Sequence, residues 1–149
     1  MAQLRAFVKG FIMGDRGNVF IRGSEFDPIK RQEFTAKRGI WIYGHWSGYD
    51  FPVHVRNALR KAGNYGVSVT GLLAEEGEPR YWEVSLGMQD NEYPIVFVDN
   101  HNQRVGFSPE PDAYYEMPPE PAIWYTFAEY AAMDDDTVRR LRSAVGLGR

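Results

Sequence analysis

The feature that most restricts the fold of this chain is a proline-rich segment in its last third. Residues 109–122 hold five of the nine prolines, interleaved with acidic residues and with Tyr114 and Tyr115. Proline fixes φ and lacks a backbone N–H, so such a stretch is excluded from helix interiors and central strands. We therefore predict an extended arm over residues 109–122, which either wraps around the body through its tyrosines or contacts a neighbouring molecule.

Before the arm, the clearest element is a helix that begins near Pro52 and ends at Gly63. Proline suits the first helical position, and glycine suits the stop. The apolar residues at helical spacing are Val55, Ala58, Leu59 and Ala62, and the charged residues that lie away from them are Arg56, Arg60 and Lys61. Glycines bracket the strand-forming residues 40–43, which predicts a central strand directly before this helix.

The other segments before the arm predict further strands and short helices. Residues 3–13 and 19–21 are expected to form an opening hairpin, and a short turn or helix follows from Pro28 through Phe34. Residues 68–76 fit either a helix or a strand.

Three later segments predict an antiparallel meander. They cover residues 81–86, 93–98 and 104–107 and are separated by turn residues. In the first of them, the alternating residues expected to face inward are Trp82, Val84 and Leu86. Pro94 suggests that the second segment is an edge strand or that the proline stands at its beginning.

Two helix starts follow the arm. Thr126 and Glu129 have the spacing of a capping box, and the acidic run 134–136 favours the N-terminus of a second helix. Together these elements predict an α+β fold, with a mostly antiparallel sheet, the helix after Pro52 on one face and C-terminal helices. A chain of 149 residues fits a single domain over residues 1–149.

Composition narrows the classes of function. The chain has no cysteine, which excludes disulfides and thiol chemistry and favours the cytoplasm. Its net charge of −3 argues against nucleic acid as partner, and no apolar run is long enough for a membrane span. Residues 1–62 hold 11 Lys and Arg against 5 Asp and Glu, and the remainder holds 6 against 15. These charges either interleave on one surface or form a basic face beside an acidic one.

The candidate ligand-binding residues surround a loop between the predicted central strand and the helix. Glycines and a helix N-terminus favour anion binding, while aromatic rings can stack on a planar group. The candidates are His45, Trp46, Ser47, Gly48 and Tyr49, with Arg38 from the basic cluster that precedes the strand. The alternative is a packed corner in which the glycines only supply turn angles.

Catalysis and metal binding find weaker support in the sequence. The sequence G-H-W-S-G over residues 44–48 places serine one position late for a nucleophile elbow. The three histidines, His45, His54 and His101, lack metal-ligand spacing. We therefore predict no catalytic residues, no metal and no cofactor.

Residues 38–49, with the sequence R-G-I-W-I-Y-G-H-W-S-G-Y, resemble small phage and prokaryotic proteins of uncharacterised function. Those proteins carry a Y-R-H-W-D-G-Y-P or Y-R-Q-x-D-G-Y-P signature before a helix, and their acidic-Glu-Tyr strand is similar to residues 90–93. Here Gly44 stands in place of the signature arginine, Ser47 of the aspartate and Asp50 of the proline. The resemblance covers about residues 38–107 and implies a phage context without a mechanism. For a phage-encoded chain the expected location is the host cytoplasm.

The function expected from these observations is that of a non-enzymatic binding protein, a phage accessory factor that engages a host protein or an anionic small molecule. Two alternatives stay open. One is a structural or assembly protein of a homo-oligomer or virion, with the arm clasping a neighbouring subunit. The other is a hydrolase that uses His45, Ser47 and Asp50.

Overall fold

A computed structural model describes residues 15–23, 39–63, 66–76 and 82–145. The strands in this part of the chain are β1 (Gly17–Arg22), β2 (Ile40–Gly44), β3 (Trp82–Ser85), β4 (Ile95–Asp99), β5 (Arg104–Ser108) and β6 (Trp124–Thr126). The α-helices are α1 (Phe51–Ala62), α2 (Val69–Leu73), α3 (Phe127–Ala131) and α4 (Asp135–Arg140). Single 3₁₀ turns cover Gly48–Asp50 and Leu141–Ala144.

The six strands form one sheet in the order β3-β2-β1-β4-β5-β6. The central pair, β1 and β4, is parallel, with Val19 opposite Val96, and the other four pairings are antiparallel. The mostly antiparallel α+β fold predicted from the sequence is confirmed, as are the strand before α1, α1 itself and the C-terminal helices. Residues 68–76 contain the short helix α2, which Ser68 caps by accepting a hydrogen bond from the N–H of Gly71.

The predicted meander is wrong, because its first and second strands are not neighbours in the sheet. β3 lies at one edge of the sheet, with β2 and β1 between it and β4, so that of the three segments only β4 and β5 are neighbours. Hydrophobic alternation identifies a strand, but the choice of its neighbour depends on long-range packing. Pro94 lies directly before β4, which is a central strand, so its role is that of a strand beginning.

All four helices pack on one face of the sheet. The buried residues of this face come from five strands and include Val19, Ile42 and Val105, and they pack against Leu59 of α1 and Tyr130 of α3. The Tyr130 hydroxyl donates a hydrogen bond to the carbonyl of Pro52 at 2.7 Å, which joins α3 to the first turn of α1.

The inward orientation predicted for Val84 and Leu86 is wrong, since both side chains are exposed at the edge of the sheet that β3 forms. Arg56, which lies off the apolar stripe of α1, is buried, because its guanidinium donates to the carbonyl of Met133 and pairs with Asp135 at the start of α4.

The second face of the sheet carries an aromatic layer. Phe20 packs at 5.0 Å between ring centroids against both Trp41, in a tilted contact, and Phe97, in an edge-to-face contact, and all three rings are buried. Met88, from the segment between β3 and β4, and Met117, from the arm, pack against this layer. The arm therefore lies along the second face.

Two predictions fall outside the described residues: the strand over residues 3–13, with its hairpin, and the turn or helix from Pro28 through Phe34. A single domain over residues 1–149 stays a prediction for the same reason. None of the helices that the structure describes has the length and apolar character of a membrane span.

Candidate binding surface

The predicted ligand loop follows β2 at the same end of the sheet where β3 begins. His45 shares a hydrogen bond of 2.9 Å between its Nδ1 and the Tyr43 hydroxyl, and its ring lies edge-to-face on Trp46 at 4.5 Å. Burial raises the pKa of the Tyr43 hydroxyl. The Trp46 side chain is 43% exposed. His45 and Trp46 thus form a small aromatic patch on the surface.

The next two candidates are buried. The Ser47 hydroxyl accepts a hydrogen bond of 2.7 Å from Nε1 of Trp82, which fixes this indole against α1. Gly48 lies so close to the N-terminal segment that a Cβ would stand 2.7 Å from the carbonyl of Arg16. Any larger residue at this position would separate the two segments.

The backbone amides of the loop are already used within the protein. Gly48 donates its N–H to the carbonyl of Asp15 at 2.9 Å, and Tyr49 donates to the Asp15 carboxylate at 3.2 Å. The N–H of Asp50 donates to the carbonyl of Ser47. A carboxylate of the chain itself therefore occupies the place where the sequence predicted an anionic ligand.

Arg142 closes the corner from the opposite end of the chain. Its buried guanidinium donates to the carbonyl of Gly48 at 2.8 Å and to that of Tyr49 at 2.7 Å. It also lies 4.5 Å from the ring centroid of Tyr93, whose hydroxyl donates to Asp15 at 2.6 Å. Arg142 lies in the segment after the acidic run 134–136, and no local signal in the sequence distinguishes it from the neighbouring Arg139 and Arg140.

The residues of the hydrolase alternative do not form a catalytic arrangement. Ser47 is engaged by Trp82, His45 by Tyr43, and the Asp50 carboxylate pairs with Arg139 at 2.9 Å. Burial lowers the pKa of Arg139, but its hydrogen bond and charge interaction with Asp50 outweigh this and raise it. No side-chain hydrogen bond links these three residues to one another in the described part of the chain.

The remaining sequence candidates are dispersed. His54 packs against Phe51 and Trp82, and His101 is exposed in the turn after β4. Arg38 lies outside the described residues. Within the described ranges, no three His, Asp or Glu side chains converge as metal ligands would.

The arm over residues 109–122 has a side that is buried on the body of the protein and a side that is exposed. Its buried residues are Pro111, Pro118 and Pro121, whereas Tyr114 is 44% exposed and Tyr115 is 74% exposed. The two rings lie edge-to-face at 4.5 Å. The prolines and Met117 therefore hold the arm on the sheet. Tyr114 and Tyr115 form an exposed aromatic pair in the middle of the arm, which we call its tip.

A cleft of about 770 Å³ lies beside this pair, between residues 88–91 and 110–114. Its walls include Asp90, Glu110, Asp112 and the Tyr114 ring, and Asp90 pairs with Arg16. The carbonyl of Tyr114 accepts the N–H of Met88 at 3.0 Å, which ties the two walls together. The cleft has the size of a ligand site and an acidic, partly aromatic lining.

At the opposite end of the sheet, charged side chains form a structural network. Asp99 is fully buried and accepts hydrogen bonds of 2.9 Å from Arg22, Arg104 and Asn102. Burial raises the pKa of Asp99, but these hydrogen bonds and the charge of Arg22 outweigh it and lower the pKa to about 2. Because Glu120 also pairs with Arg22, this network binds the arm to β1, β4 and β5.

In comparisons with known proteins, no protein family, no curated protein and no solved structure matches this chain. The resemblance of residues 38–107 to phage proteins stays a prediction. The geometry of the arm tip and the cleft is therefore the basis for assigning a function.

Proposed function

We propose that this chain is a non-enzymatic binding protein that engages a basic segment of another protein through the tip of its arm. The observation that carries this proposal is the exposure of Tyr114 and Tyr115 on an arm whose prolines and Met117 are held on the sheet. Tyrosine is enriched at protein interfaces, because its ring buries a large area and loses little conformational entropy.

The charges around the pair favour a basic partner. Asp112 and Glu116 flank the two tyrosines and are both exposed, and Asp90 and Glu110 line the adjacent cleft. Carboxylates beside exposed rings attract lysine and arginine, whose cationic groups also stack on the ring faces. The resemblance to phage proteins would make this partner a host protein.

The corner at residues 44–50 supports an anionic ligand less well. Its amides donate to Asp15 and within the corner itself, and the guanidinium of Arg142 is committed to two carbonyl groups. We therefore favour a protein partner over an anionic small molecule, and we assign no catalytic role to His45, Ser47 or Asp50.

The test measures binding of the intact protein to labelled peptides of twelve residues by fluorescence anisotropy. One peptide set is rich in Lys and Arg, and the other is matched in length and apolar content but rich in Asp and Glu. We expect binding of the basic set only, with affinity that falls as salt rises. Tyr115→Ser should weaken it about tenfold or more, as expected for an aromatic interface residue.

Trp46→Ser is the matched control, because it removes an exposed ring from the predicted corner instead of the arm. It should bind as the unmodified protein does. If Trp46→Ser loses binding and Tyr115→Ser keeps it, the recognition surface is the corner. Equal binding of acidic and basic peptides, or binding of neither, would contradict the proposal.

A further inference from the structure

The cleft beside the arm tip has walls that the body of the protein holds in place. Asn18, which is buried in β1, donates from Nδ2 to the carbonyls of Gln89 and Asp90, each at 3.2 Å. The Tyr114 ring lies so close to Gly87 that a Cβ at that glycine would stand 2.8 Å from it. A cleft whose walls are already ordered loses little conformational entropy when a ligand binds.

Carboxylates stand on both walls of this cleft. Asp90 lies on one wall, Glu110 and Asp112 lie on the other, and none of the described lining residues is a lysine or arginine. The Asp90 carboxylate accepts a hydrogen bond from Nη1 of Arg16, so this wall already holds one guanidinium. In the described part of the chain no hydrogen bond or ion pair engages Asp112, and its charge is therefore available to a cationic ligand.

An arginine of the chain itself shows how a guanidinium binds to a ring and a carboxylate together in this fold. The Arg104 guanidinium lies 4.0 Å from the ring centroid of Trp124 and pairs with the Asp99 carboxylate at 2.9 Å. In the cleft, the Tyr114 ring and the Asp112 carboxylate offer the same two kinds of group to a side chain that enters from outside.

We infer that this cleft is the subsite for an arginine side chain of the basic segment, in preference to lysine, an inference that rests on the proposed function. A guanidinium is planar and carries five N–H donors, so it stacks on the Tyr114 ring while it donates to Asp112. The ammonium group of lysine has no planar face and is more strongly hydrated. The volume of about 770 Å³ holds a long side chain together with part of the peptide around it.

Matched peptides of twelve residues test this inference with the intact protein by fluorescence anisotropy. One peptide has arginine at every basic position, and the other has lysine at the same positions. We expect the arginine peptide to bind about tenfold more tightly, because only its side chains both stack and donate in a planar fork. A third peptide, with citrulline in place of arginine, keeps the shape of the side chain without its charge and should not bind.

Two substitutions in the arm locate the preference. Asp112→Asn should bring the ratio of the two affinities close to one, because it removes the carboxylate that pairs with the guanidinium. Glu116→Gln is the matched control, since Glu116 is exposed on the same arm but does not line the cleft. It should lower both affinities alike and leave their ratio unchanged.

A lysine peptide with a single arginine, moved from one position to the next, tests whether one subsite carries the preference. One position should recover most of the affinity of the arginine peptide, and Asp112→Asn should remove this gain. Equal affinity of the arginine and lysine peptides, an equal gain at every position, or a ratio that Asp112→Asn leaves unchanged or that Glu116→Gln lowers as much would overturn the inference alone. Binding of neither peptide would overturn the proposed function as well.

Discussion

Asp99 is a buried carboxylate at the end of β4, and two arginines and an asparagine side chain surround it. The sequence placed Asp99 only among the turn residues between two predicted strands, because its partners Arg22 and Arg104 come from other strands. Its role is structural, since these contacts hold three strands and the arm together at one end of the sheet.

Replacing Asp99 by Asn should destabilise the fold by about 3 kcal/mol, because it removes the buried partner of an ion pair and leaves Arg22 and Arg104 with only the exposed Glu120 as an acidic partner. Urea unfolding at neutral pH measures this change. Asp112→Asn, which alters an exposed carboxylate of the arm, should leave the free energy of unfolding nearly unchanged. Equal stability of the two variants would show that the network contributes little.

The same residue predicts a pH dependence. The pKa of Asp99 in the folded protein lies at about 2, below the ordinary value of 3.8. The ionised carboxylate therefore stabilises the fold fully above about pH 4, and this stabilisation is lost as the pH falls through about 2. Between these pH values, the free energy of unfolding should vary less with pH for Asp99→Asn than for the unmodified chain. An unchanged pH dependence would contradict the assignment.

At the scale of elements, helix starts and the pairing of β4 with β5 were predicted well, and the neighbour of β3 was not. Thr126 accepts the N–H of Glu129 at 3.0 Å, and the Glu129 carboxylate accepts the N–H of Thr126 at 2.8 Å, as the capping-box spacing predicts. Both bonds join residues three positions apart, so a short window of sequence contains the whole signal. The pairing of β3 with β2 joins residues that lie about 40 positions apart in the chain, so no short window of sequence contains a signal for it.

Thr126→Ala should lower the free energy of unfolding by about 1 kcal/mol, because it leaves the N–H of Glu129 without its capping partner. Chemical denaturation measures the loss. Thr70→Ala, in the exposed part of α2, removes a threonine without a capping role and should cost nothing measurable. If the two substitutions have the same effect, the box does not stabilise α3.

At the scale of the whole molecule, the corner at residues 44–50 is held by both ends of the described chain. Asp15 binds its amides, and Arg142 binds its carbonyls. The residue types of this loop were predicted to meet a ligand, and in the folded chain they meet other parts of the same chain. The sequence left open whether the tyrosines of the arm pack on the body or contact a neighbouring molecule, and in the folded chain Tyr114 and Tyr115 are exposed.

Arg142→Gln should destabilise the whole fold by about 3 kcal/mol, since two buried carbonyls lose charged donors. Arg140→Gln, an exposed arginine of α4, is the control and should have little effect. Thermal and urea unfolding measure both variants. A loss confined to the C-terminal helices, seen as a separate early transition, would contradict the role of Arg142 as a link between distant segments.

Local patterns were enough to locate α1, the capped C-terminal helices, the strand before α1 and the proline-rich arm, because spacing, capping and proline geometry act within one or two turns of chain. The strand order, the burial of Arg142 and the exposure of Tyr114 and Tyr115 came only with the folded chain. Each of these depends on which distant segments meet, and packing and charge pairing between such segments leave no trace in neighbouring residues.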